Sequence, residues 1–321
     1  LLLILLYLQK SIFYYLPYLL FSALFINVKF YKYLIINNMP ELPEVEIIKN
    51  NLSDYLVNKT FHSIKVFTSK LRYKIPHNLA ESVKNQRVTH ISRVAKYIIV
   101  SLDNNYALLI HLGMTGNFLI NTKKKNQKDS KHVRIRFVMS DESKIDYVDI
   151  RKFGFFKLVT PQKNEIRKLL AELGPDALSD EFNTNYLQNT LKNRTVNIKS
   201  ALLNQKIVGG IGNIYASEAL FRAKISPITE SKKIAKDKIK ISDLVSSIKF
   251  ILNDAIQVGG STIKDHKNMK GESGYFQYKF NVYNRENMEC NDQNCDSKIK
   301  RIVQTGRSSF YCEKCQKMGS R

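Results

Sequence analysis

Acidic residues are scarce in this chain, and cysteines scarcer still. Against 51 Lys and Arg, the 321 residues carry only 28 Asp and Glu, giving a formal charge of +23 and a pI of 9.7. A surface so short of carboxylates attracts polyanions, and counterion release favours nucleic acid, although charge alone also admits anionic membranes or ribosomes. The only cysteines are Cys290, Cys295, Cys312 and Cys315, so no disulfide framework ties the rest of the chain together. Neither a Gly-Lys-Ser/Thr phosphate loop nor a Gly-x-Gly-x-x-Gly fingerprint is present, which excludes the common nucleotide-binding loops. An internal repeat is also missing. Long apolar runs are confined to residues 1–38, where Gln9 and Lys10 interrupt the first and Pro17 the second. Neither run reaches the ~20 residues of a clean membrane span, and the basic start of a signal peptide is lacking. These residues read as a non-native extension, with translation expected from Met39, no membrane partner and a cytoplasmic location.

With 44% hydrophobic and 25% charged residues the chain is in the globular range, long enough for two or three domains. Val45, Ile48, Leu52 and Leu56 fall at helical spacing. Strand-like runs follow at Tyr97–Leu102, Tyr106–His111, Val133–Met139 and Phe155–Val159, with a lysine-rich loop at Lys123–Lys131. Periodicity leaves open whether they build a sandwich or a barrel. The stretch Leu173-Gly-Pro-Asp176 then punctuates the chain. Residues 186–258 read as short amphipathic helices split by Gly209-Gly210, Gly212 and Pro227, before a glycine-containing segment, Gly259–Gly274, and the cysteine-rich tail.

Three features carry chemistry. If Met39 is removed, Pro40 presents a secondary amine with a reference pKa near ~8, and its neutral fraction can attack a sugar C1′ to form an iminium. Glu41 and Glu44 stand close enough in sequence to supply proton transfer and positioning, though an acidic first helical turn gives the same pattern. Gly209–Asn213 precedes a helix candidate at Ile214–Arg222, and glycine-rich backbone there can aim N–H groups at a phosphate. The two cysteine pairs have the spacing of a tetrahedral thiolate zinc site, expected to be structural because four thiolates leave no open position.

Taken in order, Pro40-Glu-Leu-Pro-Glu-Val-Glu46, Arg93-Val-Ala-Lys96-Tyr97, His111-Leu-Gly-Met-Thr-Gly116, Asp149-Ile-Arg-Lys-Phe-Gly154, Gly209-Gly-Ile-Gly-Asn-Ile-Tyr-Ala-Ser-Glu218 and the cysteine pairs resemble the formamidopyrimidine-DNA glycosylase family. Leu42 before Pro43 and the Met114 context look more like its oxidised-purine branch than the endonuclease VIII branch. The resemblance implies an α+β fold: a β-sandwich with an N-terminal helix (39–165), a linker (166–185), a helix–two-turn–helix domain (186–282) and a zinc-finger β-hairpin (283–321). It implies Pro40 as Schiff-base nucleophile, Glu41 as acid/base, Glu44 as a supporting carboxylate, Lys96 as a contact to phosphate beside the lesion, and Arg307 at the finger tip on the backbone. Met114, Arg151 and Phe153 would fill the space vacated by a flipped base. Asn213 and Lys199 would hold phosphate, and Lys264 with Gly271–Phe276 would close over the base. Zn2+ at Cys290, Cys295, Cys312 and Cys315, damaged double-stranded DNA as partner, a nucleoid-associated monomer and no organic cofactor complete the expectation. Three departures stand out: Ile150 in place of a usual proline, Lys152 in place of a common arginine, and four residues rather than two between Cys290 and Cys295. A chain retaining residues 1–38 would instead be a DNA-binding protein without catalysis, because an amide-linked Pro40 has no nucleophilic amine.

Overall fold

A computed structural model of the chain describes residues 39–121, 131–160, 165–261 and 275–317. The expected extension at 1–38, most of the lysine-rich loop, Lys264 and residues 271–274 lie outside the described residues. Helix α1 (Leu42–Leu56) opens the body, with Pro43 in its first turn, where a missing N–H costs nothing. The Glu41 N–H at its start donates to Glu44 Oε2 at 3.0 Å. The expected stripe of Val45, Ile48, Leu52 and Leu56 is buried.

Eight strands follow: β1 (Phe61–Val66), β2 (Val88–Val94), β3 (Tyr97–Leu102), β4 (Ala107–His111), β5 (Gly116–Asn121), β6 (Val133–Met139), β7 (Lys144–Asp149) and β8 (Phe155–Val159), with a short helix α2 (Leu79–Val83) after β1. They form two open antiparallel sheets, ordered β1-β6-β7-β5 and β2-β3-β4-β8. The architecture is therefore a sandwich. Phe61, Phe118, Phe137, Tyr147 and Phe156 interlock in its core, each large apolar side chain contributing about 1.5–3 kcal/mol by leaving water. A second cluster, of Ile99, Ala107, Leu109 and Val159, packs on Ile166 and Leu170 of α3 (Glu165–Leu170). Strands β3 and β4 are thus apolar on both faces, which erases the alternation that would have marked a sandwich.

The helical part comprises α4 (Thr184–Leu191), α5 (Ile198–Leu203), α6 (Asn213–Arg222), α7 (Ser231–Ala235) and α8 (Lys238–Gln257). Asn183, Asn197 and Asp237 cap α4, α5 and α8 by accepting backbone N–H bonds. Helices α5 and α6 with the turn between them give the helix–two-turn–helix unit, and α8 lays its apolar face on α1, α4, α6 and α7. The chain ends in a hairpin of β9 (Ile299–Gln304) and β10 (Arg307–Cys312), turned by Thr305 and Gly306 at positive φ. Among the described residues, no helix is long and apolar enough to cross a membrane.

Candidate active site

Glu41 is buried, and its carboxylate sits on the N-terminus of α6. Oε1 accepts from Ile214 N at 3.0 Å and Oε2 from Tyr215 N at 3.4 Å. The expectation that the glycine-rich turn would aim these N–H groups at a phosphate needs correction: the anion they receive is a side chain of the protein itself. The physics of an anion at a helix start is unchanged. Glycine is needed here because the two segments nearly touch. A Cβ on Gly212 would lie 2.2 Å from Glu41 Cδ, and one on Gly210, whose φ is +101°, would lie 2.5 Å from Leu42 Cδ1. Burial pushes the Glu41 carboxyl up to about 7, against the opposing pull of the Lys96 ammonium and the helix N–H groups. Pro40 precedes it in the chain and is also buried.

Glu44 is saturated. Oε1 accepts from Tyr215 Oη at 2.5 Å, Ser261 N at 2.9 Å and Ser261 Oγ at 2.8 Å, while Oε2 holds the Glu41 N–H. Four donors fix its geometry, so it is better suited to positioning than to proton transfer. Tyr215 comes from α6 and Ser261 from the segment after α8, so Glu44 joins three parts of the chain.

Lys96 lies in the turn between β2 and β3, buried rather than solvated on a strand. Its Nζ donates to Ile211 O at 3.0 Å, and burial lowers its pKa despite the attraction of Glu41. The turn is pinned by Asp176, which accepts from Arg93 Nη1 at 2.5 Å and Ala95 N at 2.8 Å, while Arg93 Nε reaches Glu46 at 2.5 Å. Lys199 is almost fully enclosed, donating to Ser308 O at 2.9 Å and Ser309 Oγ at 2.8 Å. Burial brings its pKa down to about 7. Asn213 Nδ2 donates to the same Ser308 carbonyl at 3.1 Å and to Tyr283 Oη at 3.4 Å. Both residues therefore hold the hairpin tip, beside which Arg307 is exposed at the first position of β10. The Arg307 charge is felt at Lys96 and Lys199, and that of Glu41 at both lysines. One carboxylate and three cations thus share a field.

The loop after β7 projects outward. Phe153 is 44% exposed, Arg151 is exposed with its guanidinium 4.8 Å from the Phe153 ring centre, and Met114 is half-buried on the neighbouring turn. An ordinary core assignment for Phe153 is ruled out. Asp149, fully buried, anchors this loop by accepting from Gly154 N at 2.9 Å and Thr115 Oγ1 at 2.5 Å, and Thr115 Oγ1 accepts from Arg151 N. Gly113 packs so close that a Cβ would lie 2.3 Å from the Phe153 carbonyl carbon.

The four cysteines converge. Their sulfurs lie within 4.8 Å of one another, with Cys290–Cys315 at 3.7 Å and Cys295–Cys312 at 3.6 Å, and none is in a disulfide. A tetrahedral zinc with Zn–S near ~2.3 Å needs sulfurs about 3.8 Å apart, so the donor set fits that metal. The four-residue loop after Cys290 reaches the geometry without opening the cluster.

Sequence reasoning overlooked Asp149, Asp176, Glu218, Tyr215 and Ser261. Glu218, fully buried, accepts from Asn281 N, Val282 N and Tyr283 N at 2.8–3.0 Å, tying α6 to the segment leading into the hairpin. The signal for such residues was weak: Asp149, Asp176, Tyr215 and Glu218 stand within glycine-containing stretches and Ser261 after Gly260, with no spacing of their own.

Comparison with known proteins gives matches over most of the chain. Residues 39–156 match the model of the formamidopyrimidine-DNA glycosylase N-terminal domain, and residues 173–267 that of the formamidopyrimidine-DNA glycosylase H2TH domain. A formamidopyrimidine-DNA glycosylase of Roseobacter denitrificans is 41% identical over 285 residues, and one of Wolbachia pipientis 42% over 280; each alignment covers 87% of this chain and all of the relative. Among solved structures, a mutant Lactococcus lactis FPG bound to a Fapy-dG containing DNA superposes with a TM-score of 0.78 at 29% identity, covering 87% of this chain and all of that one. The MutM (FPG) protein of Thermus thermophilus gives 0.75 at 29%, covering 88% and 100%.

Proposed function

The chain belongs to the formamidopyrimidine-DNA glycosylase family, and from that premise we propose that it is a base-excision DNA glycosylase and lyase acting on oxidised purines, 8-oxoguanine and formamidopyrimidines, in duplex DNA. The observation that carries this reading is the Glu41 carboxylate, buried on the α6 N–H groups next to Pro40 and within the field of Lys96. A carboxyl with a pKa of about 7 is both acid and base at neutral pH.

In the proposed sequence the active form begins at Pro40. Its amine lone pair attacks C1′, the glycosidic bond breaks, and the base departs with the bonding pair and takes up the proton that the Pro40 nitrogen sheds. Glu41 protonates O4′ as the C1′–O4′ bond opens, leaving an iminium between Pro40 and the sugar. That cation draws electrons as a proton leaves C2′ and the 3′ phosphate is eliminated. A second elimination releases the 5′ phosphate, and water hydrolyses the iminium, freeing Pro40 and leaving a one-nucleotide gap. Glu44 positions Glu41 through its backbone N–H. Lys96 and Arg307 face the phosphates, Lys199 and Asn213 hold the hairpin tip beside Arg307, and Met114, Arg151 and Phe153 fill the space of the extruded nucleotide. Lys264 is assigned to the loop over the base. Zinc held by Cys290, Cys295, Cys312 and Cys315 would fold the hairpin that carries Arg307, and the division at 39–165, 166–185, 186–282 and 283–321 follows these roles.

Borohydride trapping on duplex DNA containing 8-oxoguanine tests the reading. Protein beginning at Pro40 is expected to form a covalent adduct, and the full 321-residue chain none. No adduct from either form, with DNA binding intact, would favour a non-catalytic DNA-binding protein; an adduct from the long form would give the chemistry to another amine.

A further inference from the structure

Beside the wedge loop, the loop after β7 that carries Arg151 and Phe153, lies a group of cations with no role in the chemistry above. Residues 61–80 and 150–160 contain no Asp or Glu at all. The fold lays these two stretches side by side: Arg72 N donates to Gly154 O at 3.0 Å, and the Tyr73 ring meets Phe155 edge-on at 5.3 Å. Two cations flank the half-exposed Tyr73 ring, Arg72 at 5.7 Å and Lys157 at 5.8 Å from its centre. Lys70 and Lys74 are exposed and paired directly opposite each other by an antiparallel bridge. Like charges so placed are destabilising, and among the described residues no carboxylate forms an ion pair with Lys70, Arg72, Lys74 or Lys157. Folding alone gives no reason for this arrangement. A bound polyanion does, since it turns each repulsion into an attraction and releases counterions.

The patch is also continuous with the site. From Tyr73 the rings run through Phe155 to His111, stacked at 5.5 Å and 9°, and on to Tyr97, the neighbour of Lys96. His111 is kept neutral, its pKa lowered to about 4 chiefly by burial and further by the charges of Lys96 and Arg72. Arg72 is therefore electrically part of the same region, and its backbone is hydrogen-bonded to the loop that carries Phe153.

We infer that Lys70, Arg72, Lys74 and Lys157 form a phosphate-binding surface that takes the backbone of duplex DNA flanking the lesion, beyond the wedge loop. The inference rests on the DNA-repair reading and extends its footprint. Such contacts carry no base information, so they strengthen binding to damaged and undamaged duplex alike.

The test uses the whole protein with Lys70, Arg72, Lys74 and Lys157 all changed to Gln. A control changes Lys192, Lys233, Lys236 and Lys238 to Gln, removing the same charge from the exposed surface of the helical part. Fluorescence anisotropy on undamaged duplex across a salt series reads the slope of log K against log salt, which falls by about 0.9 for each phosphate that the protein no longer neutralises. The patch variant is expected to lose roughly two or more units of slope and to bind at least about tenfold more weakly at low salt, with its thermal midpoint no lower and its zinc content unchanged. The control is expected to lose much less. Equal slopes for the patch variant and the unsubstituted protein would overturn the inference, and so would an equal loss in the control. Loss of binding to anionic phospholipid vesicles with DNA binding intact would overturn it too, by assigning the patch to a membrane surface. Lesion excision by the unsubstituted protein, scored separately, tells failure of the patch from failure of the repair reading.

Discussion

Replacing Gly212 with Ala should leave the fold nearly intact and still cripple the enzyme. The backbone at Gly212 is extended, with φ −132° and ψ −161°, a conformation that alanine adopts without strain. The three atoms nearest the added methyl all belong to the Glu41 side chain, Cδ at 2.2 Å, Oε1 at 2.4 Å and Cγ at 2.7 Å. An ordinary contact is longer by about 1 Å or more, so the carboxylate must swing away by that amount, and its rotatable bonds allow it. The bonds from Ile214 N and Tyr215 N are then broken or stretched, and hydrogen bonds to a charged group contribute about 1.5–3 kcal/mol. A catalytic group misplaced by ~1 Å costs on the order of 100-fold in rate. The Gly212→Ala protein should therefore show single-turnover excision and borohydride trapping reduced by roughly two orders of magnitude, with Tm lowered by only a few degrees. The pH profile carries a second signature: out of its pocket the carboxyl falls from about 7 toward its ordinary value of 4.5, and the alkaline limb, where Glu41 loses the proton it gives to O4′, moves to lower pH. Excision within about threefold of the unsubstituted protein would refute the assignment of Glu41. A collapse in stability would refute the claim that the contact is with a movable side-chain end.

The same carboxyl makes stability depend on pH. Its folded pKa is raised, so the native state holds more protons than the unfolded state between 4.5 and about 7. The contribution is fully present below 4.5 and is lost as pH rises through 7, reaching about 3 kcal/mol at most. Glu41→Gln should accordingly gain stability relative to the unsubstituted protein as pH rises over that window, by chemical denaturation; a gap that is constant with pH would contradict it. Cys295→Ser should lower zinc content and release the hairpin tip from Lys199 and Asn213, abolishing DNA binding while the sandwich keeps its thermal transition. Full DNA affinity in zinc-free protein would show that the tip is held by something other than the metal site.

What could be read from the sequence was whatever is local. The stripe of α1, the four strands β3, β4, β6 and β8 to within a residue, and the cysteine convergence all follow from spacing along the chain. The sandwich itself was hidden, because β3 and β4 are buried on both faces and lose their alternation. The glycine turn was recognised as a place where N–H groups meet an anion, yet the anion is Glu41, more than 170 residues earlier, and no local rule names a partner at that distance. Lys199 and Asn213 were assigned to phosphate on resemblance, whereas their donors face the hairpin tip.

The acids missed share a physical feature that bears on the charge imbalance. Asp149, Asp176 and Glu218, like Glu41 and Glu44, turn their carboxylates toward backbone N–H groups of loops that carry functional side chains. A buried carboxylate accepting several N–H bonds fixes a loop as a disulfide or a longer core would, and it removes a negative charge from the outer surface. A chain with only 28 acids thus uses five of them to build the site. Among the described residues, Arg151, Lys70, Arg72, Lys74 and Lys157 form no ion pair with a carboxylate, the condition under which they can attract a polyanion. The same economy accounts for the geometry of the site and for the field around it, so removing any one of these acids should loosen a loop and leave the surface charge almost unchanged.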